Sequence, residues 1–339
     1  MKIGVLGATG MIGHHTALAV LERGHELRVI HRKNSNLSVL KDLAFESAEA
    51  DLYDQAAMEK ALSGLDAIIH CAAYYPVKPL PLKEDVGLAR LQMNTFLSAC
   101  EANSQLNKIV YTGGSIALPK NADGAPGTET LVYTNPPAQK NAYLQVKYEM
   151  DKIARERASA KLPIVIGIPA MCLGEYDYGP STGQIIVEVA NESLPAYLEG
   201  NRNVVYAGDA GRGLVLAAEK GRIGERYLIT GTNISMSELV PKIASLAGAV
   251  PPKRILSLNA AKIIASLVSV KQSMFGGPSP KLSKTAVAIM GLGQFLDGGK
   301  AERELGYSPS NTLDETLERT LLWFKKEGYL SSKEMGHHD

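Results

Sequence analysis

The sequence is poor in the features that would tie it to a membrane, an oxidising compartment or a charged polymer. Cysteine is scarce: Cys71, Cys100 and Cys172 are the only 3 among 339 residues. Their odd number and wide spacing give neither a disulfide framework nor a metal knuckle, and a reducing compartment is expected. The formal net charge is +1 with no block of one sign, so the electrostatic footprint of a nucleic-acid or anionic-membrane binder is missing. Long apolar runs are absent too. The most apolar late stretch, Ile255 to Val270, is interrupted by Lys262 and reads as a core-packing helix, too short and too charged to span a bilayer. The chain opens on a strand rather than a charged and then apolar leader, which points to the cytoplasm. Histidines are few, and the His14-His15 pair occupies adjacent helical positions that face different sides. His337-His338 lie at a terminus, so no metal site is expected. The partners left are small molecules and other copies of the chain, a homodimer among them.

What is present is a composition of 45% hydrophobic and 21% charged residues, that of a globular protein long enough for two lobes. Met1 to Leu6 reads as a buried strand, and Gly7-Ala8-Thr9-Gly10-Met11-Ile12-Gly13 follows it at once. Gly7 permits a tight turn out of the strand, Gly10 lets backbone N–H groups approach a pyrophosphate, and Gly13 permits close helix–strand packing. Thr9, Met11 and Ile12 belong to the same turn, where the helix N-terminus favours phosphate. An amphipathic helix with Ala17, Leu18, Val20 and Leu21 inward, a Gly24 C-cap and a second strand at Leu27 to Ile30 complete the context of a dinucleotide site. The end of that second strand selects the ribose, since an acid accepts the 2′-hydroxyl of NAD and an arginine accommodates the phosphate of NADP. His31-Arg32-Lys33 offers no acid and two cations, so NADPH is expected over NADH.

Strand and helix signals alternate through the first half, which predicts an α/β fold with a Rossmann-type doubly wound parallel sheet. The expected elements are strands at Ala44 to Ala48, Ala67 to Ala72, Lys108 to Thr112 and Leu162 to Ile168, with helices at Gln55 to Leu62, Arg90 to Ala102 and Ala142 to Ala158. The polar stretch from Pro119 to Lys140 is too long for a simple connection and is expected to shape a site. Beyond Pro169 the pattern loosens, and a strand near Arg226 to Thr230 is expected to return to the first lobe. The division is therefore a dinucleotide-binding domain over 1–168 with a return segment near 204–231, and a smaller substrate-binding lobe over 169–203 and 232–339.

Tyr143 and Lys147 stand at i and i+4 on one helical face, a phenol beside an ammonium that favours its ionised form. Tyr148 and Lys152 repeat the spacing at once, so one of the pairs is accidental. With the glycine turn before them, these residues resemble the extended short-chain dehydrogenase/reductase superfamily, the NAD(P)-dependent epimerase/dehydratase family, in its dihydroflavonol-reductase-like and aldehyde-reductase-like branch. The resemblance covers nearly the whole chain, including the closing segment Lys300 to Tyr307. It implies that Tyr143 and Lys147 are the catalytic pair, because that pair opens its helix. It also implies that Asp51 and Leu52 meet the adenine, and that Cys71-Ala72-Ala73 and Pro169 lie along the cofactor.

Two departures from the family pattern bear on the chemistry. The usual serine or threonine after the fifth strand falls on Gly114 here, so either a bulge brings Ser115 into the site, or Thr112 supplies the hydroxyl, or nothing does. After the sixth strand, Met171 stands where sugar-nucleotide enzymes commonly have asparagine, whereas Arg202 stands where epimerases keep an arginine for a substrate diphosphate or is a surface charge. The resemblance implies an NADPH-dependent reductase of an aldehyde or ketone. Its rivals are a nucleotide-sugar epimerase or dehydratase with tightly held NAD(P), and an NADP-binding redox sensor without turnover.

Overall fold

The computed structural model describes residues 1–72, 74–76, 80–275, 287 and 290–331, with backbone alone for 267–275. In chain order the first half runs β1 (Lys2–Leu6), α1 (Met11–Glu22), β2 (Glu26–His31), β3 (Glu46–Glu49), α2 (Gln55–Leu62), β4 (Ala67–His70), α3 (Leu82–Glu101), β5 (Lys108–Thr112), α4 (Ala142–Arg157) and β6 (Ile164–Pro169). There follow β7 (Met171–Leu173), α5 (Gln184–Ala190), β8 (Tyr197–Leu198), β9 (Asn201–Tyr206), α6 (Ala207–Lys220), β10 (Arg226–Ile229) and β11 (Thr232–Ser235). The chain closes with α7 (Met236–Ala247), β12 (Ile255–Leu256), α8 (Leu258–Phe275), α9 (Gly299–Leu305) and α10 (Leu313–Lys326).

Seven parallel strands form the main sheet in the order β3-β2-β1-β4-β5-β6-β10. β1, β4, β5 and β6 are nearly continuous runs of Ile, Val, Leu and Ala with both faces covered, as parallel strands between helical layers must be. The strand order reverses between β1 and β4, and a crevice opens there at the C-terminal ends, the position where such sheets take ligands. The return strand expected at Arg226 is β10, added to the outer edge of β6 in parallel register. A second hydrophobic cluster around Leu173, Val204, Leu239, Leu317 and Phe324 is built from β7, β9, α7 and α10. β9 joins β7 in parallel and β11 in antiparallel pairing.

Local chemistry explains several boundaries. Asp54 caps α2 by accepting from the Ala57 N–H, and Asn141 caps α4 by accepting from the Leu144 N–H. Three sequence expectations need correcting. The third strand lies at Glu46–Glu49, an edge strand with too little apolar pattern to place it. α3 begins at Leu82, directly after Pro81 and with Glu84 and Asp85 in its first turn, rather than at Arg90. The late apolar stretch packs only in part: Ala261 and Ala265 are buried, but Ile263 is 63% exposed.

The long loop from Pro119 to Lys140 is fastened to β10 by two side chains, Arg226 and Glu129. The Arg226 guanidinium, 5% exposed, donates to the carbonyls of Glu129 and Leu131 and pairs with Asp151 of α4 at 3.3 Å. Glu129 in turn accepts from the Leu228 N–H at 2.7 Å. Removing the cation leaves Asp151 buried with Arg155 as its remaining ion-pair partner. Arg226→Ala is expected to cost about 3–5 kcal/mol in urea unfolding, the size typical of breaking a buried pair; a change under about 1 kcal/mol would show that the loop is held elsewhere.

Candidate active site

The glycine turn is a backbone cradle in which side chains have no room. Gly7 has φ +92°, a left-handed conformation that disfavours any Cβ, and a Cβ on Gly13 would lie 2.0 Å from the Gly7 carbonyl oxygen. That contact presses the first turn of α1 onto the end of β1, with the Gly10 N–H donating to the Gly7 oxygen at 3.1 Å. The first N–H groups of α1 have no intrahelical acceptors and converge on the crevice. The cradle fits a pyrophosphate, and Gly7, Thr9, Gly10, Met11, Ile12 and Gly13 all border one cavity of about 790 Å³.

The same cavity reaches the Tyr-x3-Lys pair. Tyr143 and Lys147 both line it, with Lys147 Nζ 5.7 Å from the centre of the Tyr143 ring. Burial pushes the Tyr143 phenol up to about 12, with Tyr75 and Cys172 adding to the effect, and burial pulls Lys147 down to about 8. The Lys147 ammonium stands over the ring face, and desolvation comes first among the causes of the phenol's shift. The repeated spacing also resolves. Tyr148 is buried against Tyr133, edge to face at 5.9 Å, and is not among the residues lining the cavity. Lys152 pairs with Glu156 at the surface.

Ser115 lines the cavity, but by a different route from the expected bulge. β5 keeps regular register with β6 through Thr112, Gly114 is extended at φ −145°, and a 3-10 turn over Ser115–Ala117 then carries the serine inward. A Cβ on Gly114 would sit 3.8 Å from Lys147 Cδ, so that position faces the lysine with room for a small side chain. Thr112 also borders the cavity, with its hydroxyl 3.4 Å from Cys71 Sγ in the cavity floor.

Other predicted residues divide clearly. Cys71, Pro169, Met171 and Arg202 line the cavity. Arg202 is therefore not a solvated surface charge; its guanidinium donates to the Asn201 carbonyl at 2.7 Å and the Met290 carbonyl at 3.2 Å. Ala72 backs the Gly7 turn, since a Cβ on Gly7 would lie 2.8 Å from its own Cβ. Arg32, Lys33, Asp51 and Leu52 are not part of this lining; they follow the ends of β2 and β3, Arg32 and Lys33 exposed and Leu52 buried. The Gly7 N–H contacts the Ile30 carbonyl at 3.5 Å, which puts the end of β2 beside the glycine turn. Ala73 lies outside the described residues, as do His337 and His338. Among the described residues no three histidine, cysteine or acidic side chains gather as a metal-ligating group, and no helix is long and apolar enough to cross a membrane.

Sequence reasoning missed the far walls of the cavity. Tyr75, whose ring lies 5.1 Å from that of Tyr143, borders the reacting end. Leu292 and Gln294 close another side. Gln294 Nε2 donates to the Pro119 carbonyl, and its Oε1 accepts from the Asn121 N–H, so it ties the long loop to the cavity. The signal was faint: the Gly-Leu-Gly at 291–293 marks a place where backbone passes closely, and a Cβ on Gly293 would strike the Arg202 guanidinium. The third missed wall is the segment from Tyr176 to Thr182.

A parallel doubly wound sheet, a glycine cradle at its switch point and a Tyr-x3-Lys pair across one cavity define a nicotinamide-dinucleotide-dependent enzyme. The model of the NAD dependent epimerase/dehydratase family matches residues 3–230, and the chain belongs to that family. It is 27% identical to a putative dihydroflavonol 4-reductase of Synechocystis sp., over 97% of this chain and 96% of the relative. It is also 27% identical to sterol demethylase protein B of Methylococcus capsulatus, over 96% and 99%. Among solved structures, a nucleoside-diphosphate-sugar epimerase from Pseudomonas aeruginosa superposes with a TM-score of 0.85 at 41% identity, covering 98% of this chain and 99% of that one. Such relatives span reductases and epimerases, so membership fixes the extended short-chain dehydrogenase/reductase class and dependence on NAD(P) rather than one reaction.

Three histidines lie beside this cavity in a neutral state. Burial lowers His14 and His15 to about 4 and His70 to about 3. Each recovers an ordinary value near 6.5 on unfolding, so the unfolded chain takes up more protons at mildly acid pH. Their contribution is complete above pH 6.5 and lost as pH falls toward 4. The melting temperature measured by calorimetry is expected to drop steadily between pH 6.5 and 4.5, and to drop less in His70→Phe; an unchanged slope in that variant would count against the buried neutral state.

Proposed function

We propose that this protein is an NADPH-dependent reductase of an aldehyde or ketone, with residues 169–203 and 232–339 supplying the substrate-binding lobe. The observation that carries the reading is Tyr143: half-buried in the cavity wall with its phenol raised to about 12, it is held in the protonated form that a reduction requires of its acid. When bound, the dinucleotide supplies the hydride. Gly7, Gly10 and Gly13 would hold its pyrophosphate, and Lys147 its nicotinamide ribose. Arg32 and Lys33 would meet a 2′-phosphate at the end of β2, where no carboxylate competes.

The remaining steps belong to the chain. Ser115 orients the carbonyl oxygen toward Tyr143, which donates its phenolic proton as charge develops on that oxygen. Lys147 is cationic below pH 8, the state in which it steadies the phenolate left behind. Tyr75, Ile116, Met171 and Leu292 give the reacting end an apolar wall. The rate of reduction therefore declines as pH rises through 8. A second reading, nucleotide-sugar epimerisation, is favoured by Arg202 in the cavity wall and by the name of the Pseudomonas relative. An absorbance spectrum of the purified protein separates the two: tightly retained nucleotide supports epimerisation, and exchangeable NADPH consumed with a carbonyl panel supports reduction.

Tyr143→Phe is expected to lower kcat for the best carbonyl substrate by roughly 10²–10⁴ with nucleotide affinity nearly kept. Ser115→Ala is expected to lose about 10²–10³, the usual effect of one oxyanion donor. Tyr148→Phe should be mild, because its ring packs against Tyr133. Steady-state rates in the reverse order would show the wrong tyrosine to be chosen.

For cofactor choice, Arg32→Ala is expected to weaken NADPH far more than NADH in a fluorescence titration, since NADPH alone carries the phosphate. Equal weakening of both would remove Arg32 from that role.

A further inference from the structure

The two histidines that follow Gly13 are occupied by a neighbouring loop. His14 stacks on the Tyr176 ring at 3.6 Å with the planes 8° apart. His15 meets the edge of the same ring at 5.1 Å, and Trp323 of α10 packs on it at 5.1 Å. Tyr176 holds φ +66°, a left-handed conformation that an aromatic residue keeps only when its surroundings over-determine it. The preceding residue is anchored as well. The Glu175 carboxylate accepts from Tyr206 Oη at 2.9 Å and Arg319 Nε at 2.8 Å, and His15 Nε2 lies 3.7 Å away. On the other side, Asp177 is caged by the Ser181 N–H and hydroxyl and the Gly183 N–H, which fixes the shape of the loop.

This loop and the first turn of α1 both wall one cleft, since Tyr176, Tyr178 and Thr182 border the cavity together with Gly10 to Gly13. His14 and His15 stand immediately after the pyrophosphate turn, so whatever holds the histidines also holds that turn. We propose that the Tyr176–His14 stack is a clasp joining loop 174–183 to α1, in which both are positioning residues that set how long a dinucleotide is retained. The proposal rests on the reading of the cleft as the dinucleotide site and adds to it a determinant of release that no glycine of the turn provides. The ring on α1 acts through the tyrosine rather than on the nucleotide. An aromatic ring at position 14 therefore serves as well as imidazole, and a small side chain does not.

The test uses the full chain and two readouts: hydrogen–deuterium exchange of residues 174–183 without nucleotide, and stopped-flow release of NADPH or NADH. His14→Ala is expected to speed both by about tenfold, the ratio expected from one well-packed aromatic pair. His14→Phe is expected to restore both to near the wild-type rates, which loss of general stability would not explain. A folded His14→Ala protein with either rate within about twofold of wild type overturns the clasp, that being the scatter of a neutral substitution. If His14→Ala does not fold, Tyr176→Gly replaces it, since glycine relieves the positive φ while removing the ring. Release about tenfold faster at an undiminished melting temperature then supports the proposal, and unchanged release overturns it. Failure of the wild-type protein to bind either nucleotide sinks the dinucleotide reading instead, and the exchange arm still decides whether the stack holds the loop.

Discussion

The structure depends on the absence of one side chain. A Cβ at Gly13 would collide with the Gly7 carbonyl, so only glycine lets α1 start hard against the end of β1. That close approach sets the helix axis, and with it the contact of α1 with α6 and the projection of His14 and His15 toward Tyr176 and Glu175. It also delivers the partial positive charge of the helix end to the crevice where strand order reverses. Glycine cradle, histidine contacts and cavity wall are consequences of one steric condition.

Electrostatics in the cavity follow from burial more than from pairing. Tyr143, Lys147 and the three nearby histidines all shift toward their neutral forms, with desolvation first among the causes. An ammonium over a ring face is well placed to steady negative charge when it forms, without ionising the phenol beforehand. A phenol kept neutral beside a single ammonium suits chemistry in which negative charge appears only during the reaction.

Much of this was legible in the sequence wherever the information is local. α2 and β5 fall where their caps and apolar runs put them, and the glycine spacing and the Tyr-x3-Lys pair lead directly to opposite sides of one cavity. β3 was misplaced because an edge strand reading Glu-Ser-Ala-Glu carries little apolar pattern. The start of α3 was missed although Pro81 and two acids marked it. What could not be read was the assembly of distant segments: Tyr75, Tyr176, Arg202 and Gln294 come together around the cavity from parts of the chain far apart in sequence. The histidine pair shows the same blindness. Judged by spacing alone it had no metal to bind, and its actual neighbours, Tyr176 and Glu175, come from a segment with no helical or strand signature.

The position of β10 has a consequence for how the molecule is made on the ribosome. β6 is complete by Pro169, yet the strand that covers its outer edge is synthesised only after α5, β9 and α6 have emerged. Until then a nascent chain presents an apolar parallel edge to its surroundings, together with an Asp151 whose cation Arg226 has not been translated. Six strands can pair in order as they appear, but the seventh closes the sheet late and brings its counter-charge with it. The most exposed interval of biogenesis is thus set by topology, and it is the stage at which a chaperone would find the most to hold.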